Sequence, residues 1–249
     1  MRRKGSLTAR GLIPQSSFPP RPGCRKTDMK TVSGQLSSRL KAAKDSYMEL
    51  DIQVLNEIRS LLSGRIRLTP VLPSTCLPGM GLKAENLQVT GSFKIRPAFS
   101  QLLRLSPEQR EKGIVTSSSG NFAGAVSYAA SLAGISARIV MMRSSNPVKV
   151  LKTRKYGAEI NFCGNSFGER QEMVRKIRET ENRTVIHPFD HPDAIAGNAS
   201  IGFEILEQYP SVRRVIVPVS GGGLISGIAA AIKLLNPGVS IIGVQPEGS

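Results

Sequence analysis

Apolar positions in this chain become periodic only from about residue 49. Ile52, Leu55, Ile58, Leu61 and Leu62 fall on one face of an amphipathic helix that Gly64 ends. Arg65 to Val71 reads as an extended lead-in closed by Pro70 and Pro73. Short apolar runs then alternate with helical patterns. Strands are expected at 82–85, 114–116, 137–141, 159–162, 184–186, 215–219 and 241–244. Helices are expected at 95–105, 121–133, 147–156, 169–180, 194–208 and 224–235. Continuously apolar strands between helices predict an α/β architecture of mostly parallel sheets covered on both faces. In such sheets ligands collect where strands run into helices at their carboxyl ends.

Residues 1–44 lack this order. They carry Pro14, Pro19, Pro20 and Pro22 and eleven Lys/Arg against one Asp, so much of the formal charge of +16 belongs to this segment. Residues 1–47 are expected to be a disordered basic tail, or the product of a start assigned upstream of Met29 or Met48. Their Arg- and Ser-rich composition also resembles an import peptide, so organellar targeting stays open beside a cytoplasmic location. No zinc-finger spacing, basic helix or aromatic-basic interleaving supports nucleic-acid binding. No apolar run reaches the roughly 20 residues that a membrane helix needs. Cys24, Cys76 and Cys163 suggest neither a disulfide framework nor a metal site. His187 and His191 share an i, i+4 spacing, but Pro188 and Pro192 interrupt a helix there, which favours a loop or structural role.

Three turns carry candidate chemistry. Thr90-Gly91-Ser92-Phe93-Lys94 places a lysine between a turn and a helix, as a surface charge or as an amine able to form an imine with a carbonyl cofactor. Ser117-Ser118-Ser119-Gly120-Asn121 offers more helix-start donors than one cap requires, which suits a carboxylate. Ser220-Gly221-Gly222-Gly223-Leu224 follows an apolar strand and opens a helix, the arrangement in which consecutive backbone N–H groups cradle a phosphate. Phosphate, amine and carboxylate sites together are what pyridoxal 5'-phosphate and an amino acid ask for.

The residues Lys83 to Arg96 (KAENLQVTGSFKIR), Ser118 to Asn121, Tyr156-Gly157-Ala158, His187 to Asp190, Ile195-Ala196-Gly197 and Val217 to Leu224 occur in an order that resembles the threonine dehydratase / serine racemase family of fold type II pyridoxal-phosphate enzymes. The resemblance spans about residues 50–249. It implies two α/β/α domains, a larger cofactor-binding one from 48–112 and 189–249 and a smaller one from 113–188. It implies Lys94 as covalent cofactor anchor and mover of the Cα proton, Phe93 beside the cofactor ring, and Asn121 on its phenolic oxygen. Ser220 to Leu224 would hold the phosphate, with the N–H groups of Gly221, Gly222, Gly223 and Leu224 foremost, and Ser118, Ser119, Gly120 and Asn121 the substrate carboxylate. Ser119 stands where racemases of this family keep a second base.

The implied reaction is ammonia loss from L-threonine or L-serine by β-elimination. Racemisation and 3-hydroxyaspartate cleavage are alternatives within the family, and a catalytically inactive cofactor or amino-acid binder is an alternative outside it. The implied partners are an amino-acid substrate and further copies of the chain, as a dimer or tetramer. Phe122, Pro97, Asn198, Ser220 and Gln245 depart from the family pattern, and Gln245 leaves a divalent-cation site doubtful. Family members continue well past Ser249, so the chain is expected to be a fragment with weak or no activity.

Overall fold

The structure, a computed structural model, describes residues 50–247; the expectations for the basic segment 1–47 lie outside them. Helix α1 (Ile52–Leu62) starts where the Asp51 side chain accepts from the N–H groups of Gln53 and Val54, and it buries Leu55, Ile58 and Leu62. Strands β1 (Val71–Pro73) and β2 (Gly81–Lys83) form a short antiparallel pair. The strand expected at 82–85 stops early, because Glu85 opens a 3-10 turn through Leu87 and its carboxylate is drawn to Arg96.

Helix α2 (Ile95–Leu103) comes soon after and is almost wholly buried. Helix α3 (Pro107–Lys112) is an addition to the expected elements. It is set by a capping box between Ser106 and Gln109 and buries nothing, so it has no apolar stripe to betray it. Strands β3 (Ile114–Ser117), β4 (Ala137–Met142), β5 (Glu159–Cys163) and β6 (Thr184–Val185) make a parallel sheet in the order β5-β4-β3-β6. Helices α4 (Asn121–Ala133), α5 (Pro147–Lys155) and α6 (Phe167–Glu181) connect them.

Alternation along these strands explains their continuous apolar character. Ile114, Ile139 and Met141 join the main core with α1, α2 and α4, while Val115, Val140 and Cys163 pack under Val174 and Ile177 of α6. Helix α7 (Pro192–Gln208) then crosses α2. Pro192 does not interrupt it but occupies its first turn, and His191 caps it by accepting from the N–H of Asp193. The crossing is close at Gly197, where a Cβ would press on the backbone of Arg96 and on Ser100. Strand β7 (Arg214–Pro218), helix α8 (Gly223–Leu235) and strand β8 (Ser240–Val244) complete the chain, with β7 and β8 parallel. A second core of Ile201, Ile205, Val215, Val217, Ile228 and Ile232 seals α7 and α8 onto β7. No helix among the described residues is long and apolar enough to cross a membrane.

Candidate active site

Helix starts divide into two sets. Asp51, Ser106, Asn146, Ser166 and His191 cap α1, α3, α5, α6 and α7 with their own side chains. Helices α2, α4 and α8 begin at Lys94, Gly120 and Gly222 with no side-chain cap. These are the three turns singled out from the sequence. Their helix N-termini keep backbone donors and positive dipole ends available to a ligand.

Lys94 is half-buried. Its Nζ donates to the Pro188 carbonyl at 3.1 Å and lies 4.9 Å from the Phe93 ring and 5.8 Å from the Phe122 ring. Burial pushes its pKa below the ordinary lysine value, towards the neutral amine that nucleophilic chemistry needs. The turn before it contains two buried hydroxyls, Thr90 Oγ1 and Ser92 Oγ, with no hydrogen-bond partner. Lys152 of α5 crosses to this turn and donates to the Thr90 carbonyl at 2.5 Å.

At the second turn, Ser118 Oγ accepts from the Gly120 N–H at 3.2 Å. Ser119 Oγ accepts from the Met142 N–H at 3.1 Å and lies 2.8 Å from Ser145 Oγ, which also lies 2.5 Å from the Met142 carbonyl it donates to. The Asn121 side chain is exposed. Ser119 is thus fastened to the end of β4 and makes no hydrogen bond to Lys94.

At the third turn, the N–H groups of Ser220, Gly221 and Gly222 meet no acceptor among the described residues. Gly222 has φ of 82°, which only glycine adopts readily. A Cβ at Gly221 would run into the Phe189 ring, and one at Gly223 into the Phe189 backbone. Asn198 supports this turn from α7, donating from Nδ2 to the Gly223 carbonyl at 3.0 Å.

The segment His187 to Asp190 joins the pieces. Pro188 holds the Lys94 amine, Phe189 lies on the glycine turn, and His187 Nδ1 accepts from the N–H of Asp190 at 2.7 Å. Burial lowers the His187 pKa, with nearby His191 and Lys94 acting in the same direction and Asp190 against them. Phe93 and Leu224 pack against the same core, so the lysine turn and the glycine turn meet on that side too.

A charged group beneath the lysine turn has no counterpart in the expectations from sequence. Arg96 is fully buried. Its guanidinium donates to both oxygens of Glu85 at 2.7 and 2.9 Å, to both oxygens of Glu204 at 2.6 and 2.9 Å, and to Ser200 at 2.9 Å. Burial opposes its charge, but the bonds to Glu204 and Glu85 prevail and raise its pKa. Lys83 donates to the same Glu204 at 2.5 Å. Residues 85 to 96 therefore form a loop closed by a bidentate ion pair and tied to α7. The available signal was a lone arginine inside an apolar helical stretch, which calls for a buried partner.

A cavity of about 950 Å³ lies between the β1–β2 pair and β7. It reaches Phe93 and Leu224 but not Lys94. Among the described residues no group of three or more His, Cys, Asp or Glu is placed to hold a metal ion.

A family model described as pyridoxal-phosphate dependent enzyme matches residues 62–249. An L-threonine ammonia-lyase of Thermotoga maritima is 50% identical over 166 residues, covering 67% of this chain and 41% of that protein. Maize serine racemase superposes with a TM-score of 0.77 at 38% identity, covering 80% of this chain and 62% of that one. The processed form of threonine deaminase isoform 2 from Solanum lycopersicum superposes with a TM-score of 0.75 at 33% identity, covering 79% and 56%. The chain thus spans between two fifths and two thirds of the length of these proteins.

Proposed function

The chain belongs to the pyridoxal-phosphate dependent enzymes, and we propose that it acts in them as a lyase that removes ammonia from L-threonine or L-serine. The observation carrying this reading is that three uncapped helix starts surround one lysine biased towards its neutral form: α2 begins at Lys94, α4 brings the Phe122 ring to 5.8 Å from its amine, and α8 begins on Phe189, next to the Pro188 carbonyl that holds it. The residues present fit the cofactor. Unpaired N–H groups at Ser220 to Gly222 and the bare start of α8 suit a phosphate, and Lys94 suits the covalent anchor. The buried Thr90 and Ser92 hydroxyls lack partners that a ligand or water can supply.

When bound, the cofactor supplies a sink for the electron pair left at Cα. The protein's part is positional and acid-base. The Ser118 to Asn121 turn receives the substrate carboxylate on the free N–H groups of α4. Asn121 would hold the cofactor's phenolic oxygen, and Phe93 would pack beside its ring. The Lys94 amine takes the Cα proton, and the Cβ–O bond breaks as the hydroxyl leaves with a proton as water. The released enamine takes up water and yields a 2-oxo acid and ammonia.

Racemisation is the second reading, favoured by Ser119. The Met142 N–H donates to its Oγ, which supports negative charge there, as a second base requires. Both readings include an amino acid as substrate, assembly as a dimer or tetramer, a cytoplasmic location, and a larger lobe from 48–112 and 189–249 beside a smaller lobe from 113–188.

The test is to load the purified chain with pyridoxal phosphate and supply L-threonine, L-serine and L-threo-3-hydroxyaspartate separately. Release of 2-oxo acid and the enantiomeric composition are followed together. Lys94→Ala is expected to lower turnover by about 10³-fold or more and to remove the absorbance of the lysine-linked cofactor. Retained absorbance would refute the lysine assignment, and cofactor binding without turnover of any substrate would favour a non-catalytic binder.

A further inference from the structure

Gln101 is only 3% exposed and stands seven residues after Lys94 on α2, two turns along the same face. Both ends of its amide engage one residue of the joining segment. Nε2 donates to the His187 carbonyl at 2.9 Å, and Oε1 accepts from the His187 N–H at 3.0 Å. Gln101 thereby reads the His187 backbone as a neighbouring strand would, just past the end of β6 where that pairing runs out. A second bond from Nε2 to the Pro97 carbonyl, 2.9 Å long, fixes the side chain to its own helix.

The residues just after His187 give this anchorage its reach. The His187 ring packs edge-on against Phe189, with centroids 4.8 Å apart. Its Nδ1 closes the turn through the N–H groups of Phe189 and Asp190. The Pro188 carbonyl accepts from Lys94, and Phe189 lies on Gly221 and Gly223. One side chain therefore sets a segment that touches the amine on one side and the glycine turn on the other.

We propose that Gln101 is a positioning residue that couples the Lys94 amine to the Gly221–Leu224 turn through the segment His187 to Phe189. The proposal rests on the reading of Lys94 as cofactor anchor and of the glycine turn as phosphate cradle. A leucine at 101 keeps the volume but leaves the His187 N–H and carbonyl unpaired in a half-buried place. A glutamate keeps the acceptor for the N–H but, as a carboxylate, cannot donate to the carbonyl.

The test uses the full chain and three readouts. These are the pyridoxal-phosphate dissociation constant, the pH midpoint for formation of the lysine-linked absorbance, and amide hydrogen exchange at residues 187–190 in cofactor-free protein. Gln101→Leu is expected to weaken cofactor binding about tenfold, shift the pH midpoint, and speed exchange in that segment. Gln101→Glu is expected to fall between, and carries the test if the leucine variant does not fold. A lower melting temperature with dissociation constant, midpoint and exchange all unchanged would overturn the proposal, since a purely structural glutamine behaves that way. Failure of the wild-type chain to form a lysine-linked cofactor at all would instead sink the underlying reading, leaving the exchange measurement to judge Gln101 by itself.

Discussion

Replacing Arg96 by methionine tests the most demanding interaction in the fold. The guanidinium side chain has no solvent exposure, and Glu85 and Glu204 on either side of it are 15% and 8% exposed. With Lys83 the group holds two positive and two negative charges and is neutral. Methionine fills much of the space of the arginine stem but leaves two carboxylates facing one ammonium. Breaking a buried ion pair from one side costs about 3–5 kcal/mol, against a total domain stability of about 5–15 kcal/mol. The variant should therefore lose about a fifth or more of its stability.

Urea unfolding followed by circular dichroism reads this directly, with Arg175→Met as control. Arg175 pairs with Glu172 in solvent, where an ion pair contributes roughly 0–1 kcal/mol. Adding Glu204→Gln to Arg96→Met should recover part of the loss, because the excess negative charge goes with it. A loss below about 1 kcal/mol, indistinguishable from the control, would refute the view that this ion-pair group holds the lysine loop.

Three further outcomes concern the site itself. Lys94→Met should raise the melting temperature of the cofactor-free protein at pH 7, because a buried lysine with a lowered pKa binds fewer protons folded than unfolded; the gain should vanish above about pH 10.4, where both states are neutral. His187 also has a lowered folded pKa, so its contribution is complete above about pH 6.5 and is lost as pH falls through the folded value; melting curves from pH 7.5 to 5 should show that decline, and His187→Asn should flatten it. Gly120→Asp has room for its side chain, the nearest atom to a new Cβ being Lys149 Nζ at 4.0 Å. It should cap α4 and add a few tenths of a kcal/mol in urea unfolding, while raising KM for threonine by competing with the substrate carboxylate.

Local pattern made most elements legible and left their long-range partners hidden. The helix at 121–133 and the four-stranded sheet follow from apolar runs that need no knowledge of distant residues. Helix α3 was missed because its residues bury no stripe, although Ser106-Pro107 with Gln109 spells a capping box. The same box at Ser166 and Glu169 explains why α6 starts at Phe167, two residues before its apolar pattern suggests. The three chemical turns were visible as composition. Arg96 and Glu204 lie 108 residues apart, and Gln101 and His187 lie 86 apart. A glutamine in a helical run carries no mark that its amide will serve a distant backbone.

Capping connects these scales. An effective N-cap stabilises a helix by about 1 kcal/mol, and among the described residues five of eight α-helices are capped by side chains while three are left bare. Chance would scatter the bare ends over the surface, whereas here all three border the segment 187–190 or the lysine that it holds. The cofactor-free protein accordingly forgoes roughly 1–2 kcal/mol of local stabilisation in one place, most of it at Lys94 and a few tenths at each of the glycine caps Gly120 and Gly222. A phosphate on α8 and a carboxylate on α4, as proposed, would restore what the side chains withhold, so binding and stability would rise together. At a cofactor concentration a hundred times its dissociation constant, mass action adds about 2.7 kcal/mol, a gain that urea unfolding with and without the cofactor reads directly.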